Sequence, residues 1–111
     1  MIEVIIKQYL DQTLDVPIQM EHQENEPDSF VIFEKTGSSK QNHLRGAVFA
    51  FQSYGKSLYE AALLNEKVKE AVEGMIKLDA ISGIHLNADY NFTDVETKRY
   101  RYQAVFNINY F

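Results

Sequence analysis

The sequence predicts an α+β domain: a mainly antiparallel β-sheet with its helices packed on one face. Three observations lead there. A capped amphipathic helix occupies 58–75, in the middle of the chain. Two alternating segments, "SGIHLNADYNF" (82–92) and "KRYRYQAVFNINYF" (98–111), close the chain as a hairpin. Aromatic and β-branched runs, "FVIFEK" (30–35) and "HLRGAVFAFQ" (43–52), precede the helix. Strand-like runs on either side of one long helix fit a sheet with segregated helices. At 111 residues the chain is one domain, 1–111, able to bury a single core. The predicted order is α-β-β-β-α-β-β.

Each element has its own warrant. In 1–12, Ile2, Ile5, Ile6, Tyr9 and Leu10 recur at helical spacing, with Glu3, Lys7 and Asp11 opposite. "LDVPIQME" (14–21) reads as a short strand, and Pro17, which has no amide to donate, confines it to an edge or bulge. "HQENEPDS" (22–29) is an acidic loop and "TGSSKQN" (36–42) a turn-rich connection. Before the long helix, Ser57 and Glu60 make a capping box. Ala61, Leu64, Val68, Val72 and Met75 then form an apolar stripe, with Asn65, Glu66, Lys69, Glu70 and Glu73 facing away. In the hairpin, Ile84, Leu86, Ala88, Tyr90 and Phe92 share one face, as do Tyr100, Tyr102, Ala104, Phe106, Ile108 and Tyr110. A symmetric loop at 93–97 sets Tyr90 opposite Tyr100 and Asp89 opposite Arg101.

Composition narrows the function. With no cysteine, disulfides, thiolate metal sites and cysteine nucleophiles are excluded. A net charge of −5 argues against a dedicated nucleic-acid module. Glu3 and Lys7 interrupt the apolar opening, and no run approaches the roughly 20 apolar residues of a membrane span. These features predict a soluble intracellular protein.

Candidate chemistry is sparse. His22, His43 and His85 have none of the spacings typical of metal ligands, so each reads as a surface histidine. Asp89, Asp94 and Glu96 lack the density of a calcium loop and fit turn chemistry and pairing with Arg99 and Arg101. "KTGSSK" falls short of a phosphate-binding loop because it does not open a helix. No nucleophile, base and orienting group are spaced as a catalytic set. The residues therefore predict no catalytic site, no metal and no cofactor.

The third strand is the anomaly. If Leu44, Val48 and Ala50 face the helices, then Ala47, Phe49 and Phe51 lie on the polar face, with Val105 and Phe111 on the same side. A strand apolar on both faces is covered on both. Either the first helix or a neighbouring subunit covers Phe49 and Phe51. Arg99, Arg101, Gln103, Asn107 and Asn109 then form a hydrophilic contact surface beside them. The closing strand, extended over 98–111, would reach about 46 Å and could pass beyond its own domain.

Several segments together resemble the small tail-terminator (tail completion, or tail-to-head joining) proteins of long-tailed bacteriophages and prophages. "VPIQME" (16–21) is similar to that family's early edge strand, and "PDSFVIFEKTG" (27–37) to its second strand and following loop. "AFQSYGKSLYEAALLNEKVKEAV" (50–72) is similar to its strand, serine-containing turn and long helix. "YNFTDVETKRYRYQAVFNINY" (90–110) resembles its closing hairpin. The resemblance implies a structural, non-enzymatic subunit that forms a homo-oligomeric ring, commonly a hexamer. Such a ring caps the tail-tube protein, stops tube polymerisation and meets the head connector protein. It implies assembly in the bacterial host cytoplasm and a place in the virion, at the head–tail junction. A head-completion or minor capsid protein is the neighbouring alternative. A small-ligand or enzymatic α+β domain is the more distant one.

Overall fold

The structure, a computed structural model, describes residues 1–41 and 44–111. Its elements are α1 (Ile2–Thr13), β1 (Ile18–Gln19), β2 (Phe30–Gln41), β3 (Leu44–Gly55), α2 (Leu58–Gly74), β4 (Ile81–Asn91) and β5 (Tyr100–Tyr110). A 3-10 turn, Met75–Lys77, follows α2. The five strands form one sheet in the order β1-β2-β3-β5-β4, antiparallel except for the β1–β2 pair. This is the α+β architecture and element order the sequence predicts. No helix among the described residues is long and apolar enough to cross a membrane.

Both helices lie on one face of the sheet because their apolar stripes have only that face to bury against. Ile2, Ile6 and Leu10 of α1 and Leu64, Val68, Val72 and Met75 join one core with Phe33, Phe49, Phe51, Phe106 and Ile108. The cap of α2 is in place: Ser57 Oγ accepts the Glu60 amide at 3.1 Å. Gly55, where β3 turns into α2, is fixed by space, since a Cβ there would stand 2.6 Å from the Ala61 nitrogen.

Several expectations are corrected. Phe49 and Phe51 are wholly buried on the helix face, while Val48 and Ala50 take the opposite side. The bulkier apolar set wins the core because it removes more surface from water. These two phenylalanines are therefore core residues of this chain and not a surface for a neighbour. The loop expected at 36–42 is largely strand, because β3 supplies cross-strand partners as far as Gln41↔Leu44. Asn42 and His43, the end of that loop and the expected start of the third strand, lie outside the described residues. The strand expected at 14–21 shrinks to β1, at the sheet edge and parallel to β2. Asn65, expected to face solvent, is 1% exposed, and its Nδ2 donates to Asp89 Oδ1 at 3.2 Å.

The closing hairpin also departs from the symmetric pairing. Tyr90 opposes Gln103 and Asp89 opposes Ala104. Asp94 sets the turn: its Oδ1 accepts the amides of Glu96 at 3.0 Å and Thr97 at 3.4 Å, and its own backbone amide donates to the Arg99 carbonyl across the loop at 3.2 Å. The Thr97 side chain and the Glu96 amide hold the Asp94 carboxyl below its usual range. A bulge between Leu86 and Ala88 reverses the alternation of β4. Tyr90 consequently shares the helix-free face with Gln103, and Asp89 turns toward α2 to meet Lys69 Nζ at 2.8 Å. Asp89, then Glu66, raises the Lys69 pKa. β5 does not reach beyond the domain; β3 and β4 pair with it on both sides.

Candidate interaction surface

With both helices on one face, the other face of the sheet carries a different set of side chains. We call this the outer face. At one end Phe30, Ile32 and Tyr54 form a small second core. The Phe30 and Tyr54 rings stack at 4.4 Å with 9° between their planes. The segment 20–29 closes over them through His22, whose ring stands edge-on to Tyr54 at 5.6 Å. Its Nδ1 lies 2.9 Å from Glu26 Oε2.

Glu26 anchors this segment. Its carboxylate accepts Arg99 Nη2 at 2.9 Å and the Gln23 amide at 3.0 Å. Burial pushes the Glu26 carboxyl upward, but Arg99, the Gln23 amide and His22 outweigh it and hold the pKa below its usual value. Arg99 in turn lies 5.1 Å from the Tyr54 ring centre and 5.5 Å from that of Phe30. The acidic loop is therefore tied by charge to Arg99, just before β5, and to the sheet by aromatic contact.

A polar ladder crosses the middle of the face. Arg101 Nη1 donates to the Tyr54 hydroxyl at 3.0 Å, and the hydroxyl donates to Gln52 Oε1 at 3.3 Å. Gln52 Nε2 donates to Gln103 Oε1 at 2.9 Å, and Gln103 Nε2 donates to the Tyr90 hydroxyl. Arg101 also caps the Phe92 ring at 4.5 Å and donates to the Phe92 carbonyl at 2.6 Å. Further along, Asn87 Nδ2 donates to Asn107 Oδ1 at 2.9 Å. Asn107 and Asn109 line a shallow hollow of about 300 Å3 beside Gly37 and Gly46.

Of the seven residues proposed from sequence, five come together here: Arg99, Arg101, Gln103, Asn107 and Asn109. Phe49 and Phe51 lie behind the sheet. Sequence reasoning missed Phe30, Tyr54, Tyr90, Phe92 and the His22–Glu26 pair. The signal for Phe30 lay in its own strand: "FVIFEK" is apolar at both phases, so one phase faces away from the helices. Nothing local marks the bulge that turns Tyr90 and Phe92 outward.

The remaining sites have local explanations. His85 is exposed on the outer face, opposite Asn107. Asp89, Asp94 and Glu96 do not converge, since Asp89 serves α2 and Asp94 serves the turn. Among the described residues no three His, Cys, Asp or Glu side chains gather as metal ligands.

The two sheet edges are less suited to contact than the face. Among the described residues β1 covers only Val31 and Ile32 of β2, and β4 is the far edge. β2 carries a bulge between Lys35 and Gly37, and β4 carries two. Bulged edges discourage strand addition by another chain. Tyr, Arg and Phe on a half-exposed face are instead the side chains that dominate protein contacts. No model of a known protein family matches the chain, and no curated protein matches it.

Proposed function

We propose that the chain is a structural subunit of phage morphogenesis. Copies close into a ring that caps the tail tube, stops its polymerisation and presents the surface for joining the head. One observation carries the reading. The sheet is covered by helices on one face only, and the other face holds an organised row of Arg99, Arg101, Gln103, Asn107 and Asn109 with half-exposed Tyr90 and Phe92. Such a pre-ordered surface of arginine, aromatic and amide groups suits contact with protein, because its side chains are already held and lose little freedom on docking. A ring needs a heterologous contact, in which one patch meets a different patch on the next copy. The outer face supplies one patch, and the exposed side of α2, with Leu58, Tyr59 and Leu63, supplies a second of different character.

Electron microscopy of the purified protein mixed with tail-tube subunits tests the reading. Rings seated on tube ends, and tubes of limited length, are the expected result. Tyr90→Ala and Arg101→Glu, each confirmed as folded by circular dichroism, should abolish capping. Tubes that grow without limit in the presence of wild-type protein would refute the reading.

A further inference from the structure

We propose that Arg101 anchors a contact between copies of this chain: the free edge of its guanidinium takes a carboxylate from the outward stripe of α2 in the next copy, beside Tyr90 and Phe92. The inference rests on the proposed function only in that copies associate, and it is independent of what the assembly caps.

Arg101 is held in place without being neutralised. Its Nε donates to the Phe92 carbonyl at 2.6 Å and its Nη1 to the Tyr54 hydroxyl at 3.0 Å. The guanidinium lies 4.5 Å from the Phe92 ring centre. All of these partners are uncharged. A guanidinium carries five N–H donors, so these bonds leave the rest of its fork unengaged. Among the described residues Arg101 forms no ion pair, whereas Arg99 is spent on Glu26, whose side chain is 7% exposed. Asp94 acts on Arg101 from beyond ion-pair distance, and its Oδ1 is occupied by the Glu96 and Thr97 amides. Arg101 therefore docks with little loss of freedom, and its open fork suits the two oxygens of a carboxylate.

The same chain carries the matching surface on its other side. Tyr59, Leu63, Glu66, Glu70 and Glu73 recur at three- and four-residue steps and form one exposed stripe along α2, opposite the buried Ala61, Leu64, Val68 and Val72. The first half of the stripe is apolar, with Tyr59 75% and Leu63 46% exposed. The second half is three carboxylates. Glu66 pairs with Lys69 at 2.8 Å but is 68% exposed, so water screens much of that attraction, and Glu70 and Glu73 form no ion pair among the described residues. From Leu63 to Glu66 the helix rises about 4.5 Å. That step is comparable with the 4.5 Å between Arg101 and the Phe92 ring, so Leu63 can cover the ring while Glu66 reaches the arginine.

A second copy is the occupant because charge and apolar surface match together. Arg101 meets glutamates, and Tyr90 and Phe92, 41% and 39% exposed, meet Tyr59 and Leu63. Helices cover one face of the sheet and Arg101 lies on the other, so the two surfaces of one chain cannot meet each other. The contact is heterologous.

The test is a charge exchange in solution, without tube subunits. The 15N-labelled Arg101→Glu variant is titrated at low salt with unlabelled chain carrying Glu66→Arg and Glu70→Arg. Each variant alone opposes like charges at the contact, and the mixture restores attraction. The amides of Tyr90, Phe92 and Gln103 should shift on mixing, added salt should reverse the shifts, and sedimentation should show larger species than for either variant alone. Kd in the mixture should be about tenfold lower than for either variant, the factor for turning screened repulsion into attraction. The neutral pair, Arg101→Gln with Glu66→Gln and Glu70→Gln, should show no such gain. The Glu66→Arg, Glu70→Arg chain leaves Arg101 untouched, and should associate with itself about tenfold more weakly than wild type. No gain on mixing, an equal gain in the neutral pair, shifts confined to another region, or stronger shifts at the same amides from a DNA oligonucleotide would overturn the proposal. A gain on mixing without tube capping by the wild type would refute the proposed function and leave this contact standing; capping with no gain on mixing would do the reverse.

Discussion

Phe49→Ala distinguishes the two possible faces of β3. Phe49 is fully buried, with the Phe33 and Phe51 rings 6.1 Å and 6.3 Å away and Phe106 opposite it on β5. Truncation removes the transfer energy of a buried ring and leaves a cavity. Strand backbones hold the surrounding rings in place, so the cavity collapses only in part. A loss of about 3–5 kcal/mol is expected. Domains of this size have total stabilities of roughly 5–15 kcal/mol, so the variant should stay folded but marginal. In urea, with a slope of about 2 kcal/mol per molar, the midpoint should fall by about 2 M. Phe111, 73% exposed, is the control, and Phe111→Ala should change stability by less than about 0.5 kcal/mol. A Phe49→Ala midpoint matching the Phe111→Ala midpoint would refute the placement of Phe49 and return it to an open surface.

Three further outcomes are expected. Ser57→Ala removes the acceptor for the Glu60 amide and should cost about 0.5–2 kcal/mol in chemical unfolding, with Ser57→Asp restoring most of it. Lys98→Gly should raise stability by about 0.5–1 kcal/mol, because relief of the left-handed strain exceeds the added freedom of the unfolded chain; a lower thermal midpoint would contradict the strained turn. The Glu26 carboxyl is lowered in the folded state, so its contribution is present above its unfolded value of 4.5 and is lost as pH falls through the folded pKa. Urea midpoints measured from pH 7 down to pH about 3 should therefore fall less steeply for Glu26→Gln than for the wild type.

What the sequence made legible was local, and what it hid was set by partners distant in the chain. The cap and stripe of α2 sit within one helix, so Ser57, Leu64, Val68 and Val72 declared their roles directly. Asn65 did not, since the group its Nδ2 donates to is Asp89, distant in the chain on β4. The stretch 36–41 carries Gly, Ser and Lys, which locally favour a loop, yet pairing with β3 holds it as strand. Five of the seven proposed contact residues were legible because β5 alternates without interruption and Arg99, just before it, keeps the same phase. Phe49 and Phe51 were misplaced by a choice of phase that side-chain volume would have corrected. The register of the hairpin was hidden because unbroken alternation through Leu86, Ala88 and Tyr90 reads the same with or without a bulge.

That bulge also explains how an edge strand comes to serve a face. Without it, Tyr90 and Phe92 would continue the helix-side row begun by Ile84 and Leu86, and Asp89 would point outward. With it, Tyr90 meets Gln103, Phe92 lies under Arg101, and Asp89 reaches Asn65 and Lys69. One extra residue in β4 thus fastens the edge strand to α2 through Asp89, blunts the edge against strand addition, and places two aromatic rings beside the arginines. In the proposed assembly a surface built this way would be matched by the shape and charge of a partner's side chains rather than by its backbone hydrogen bonds. Charge substitutions at Arg99 and Arg101 should therefore disturb assembly more than proline substitutions along the free edge of β4.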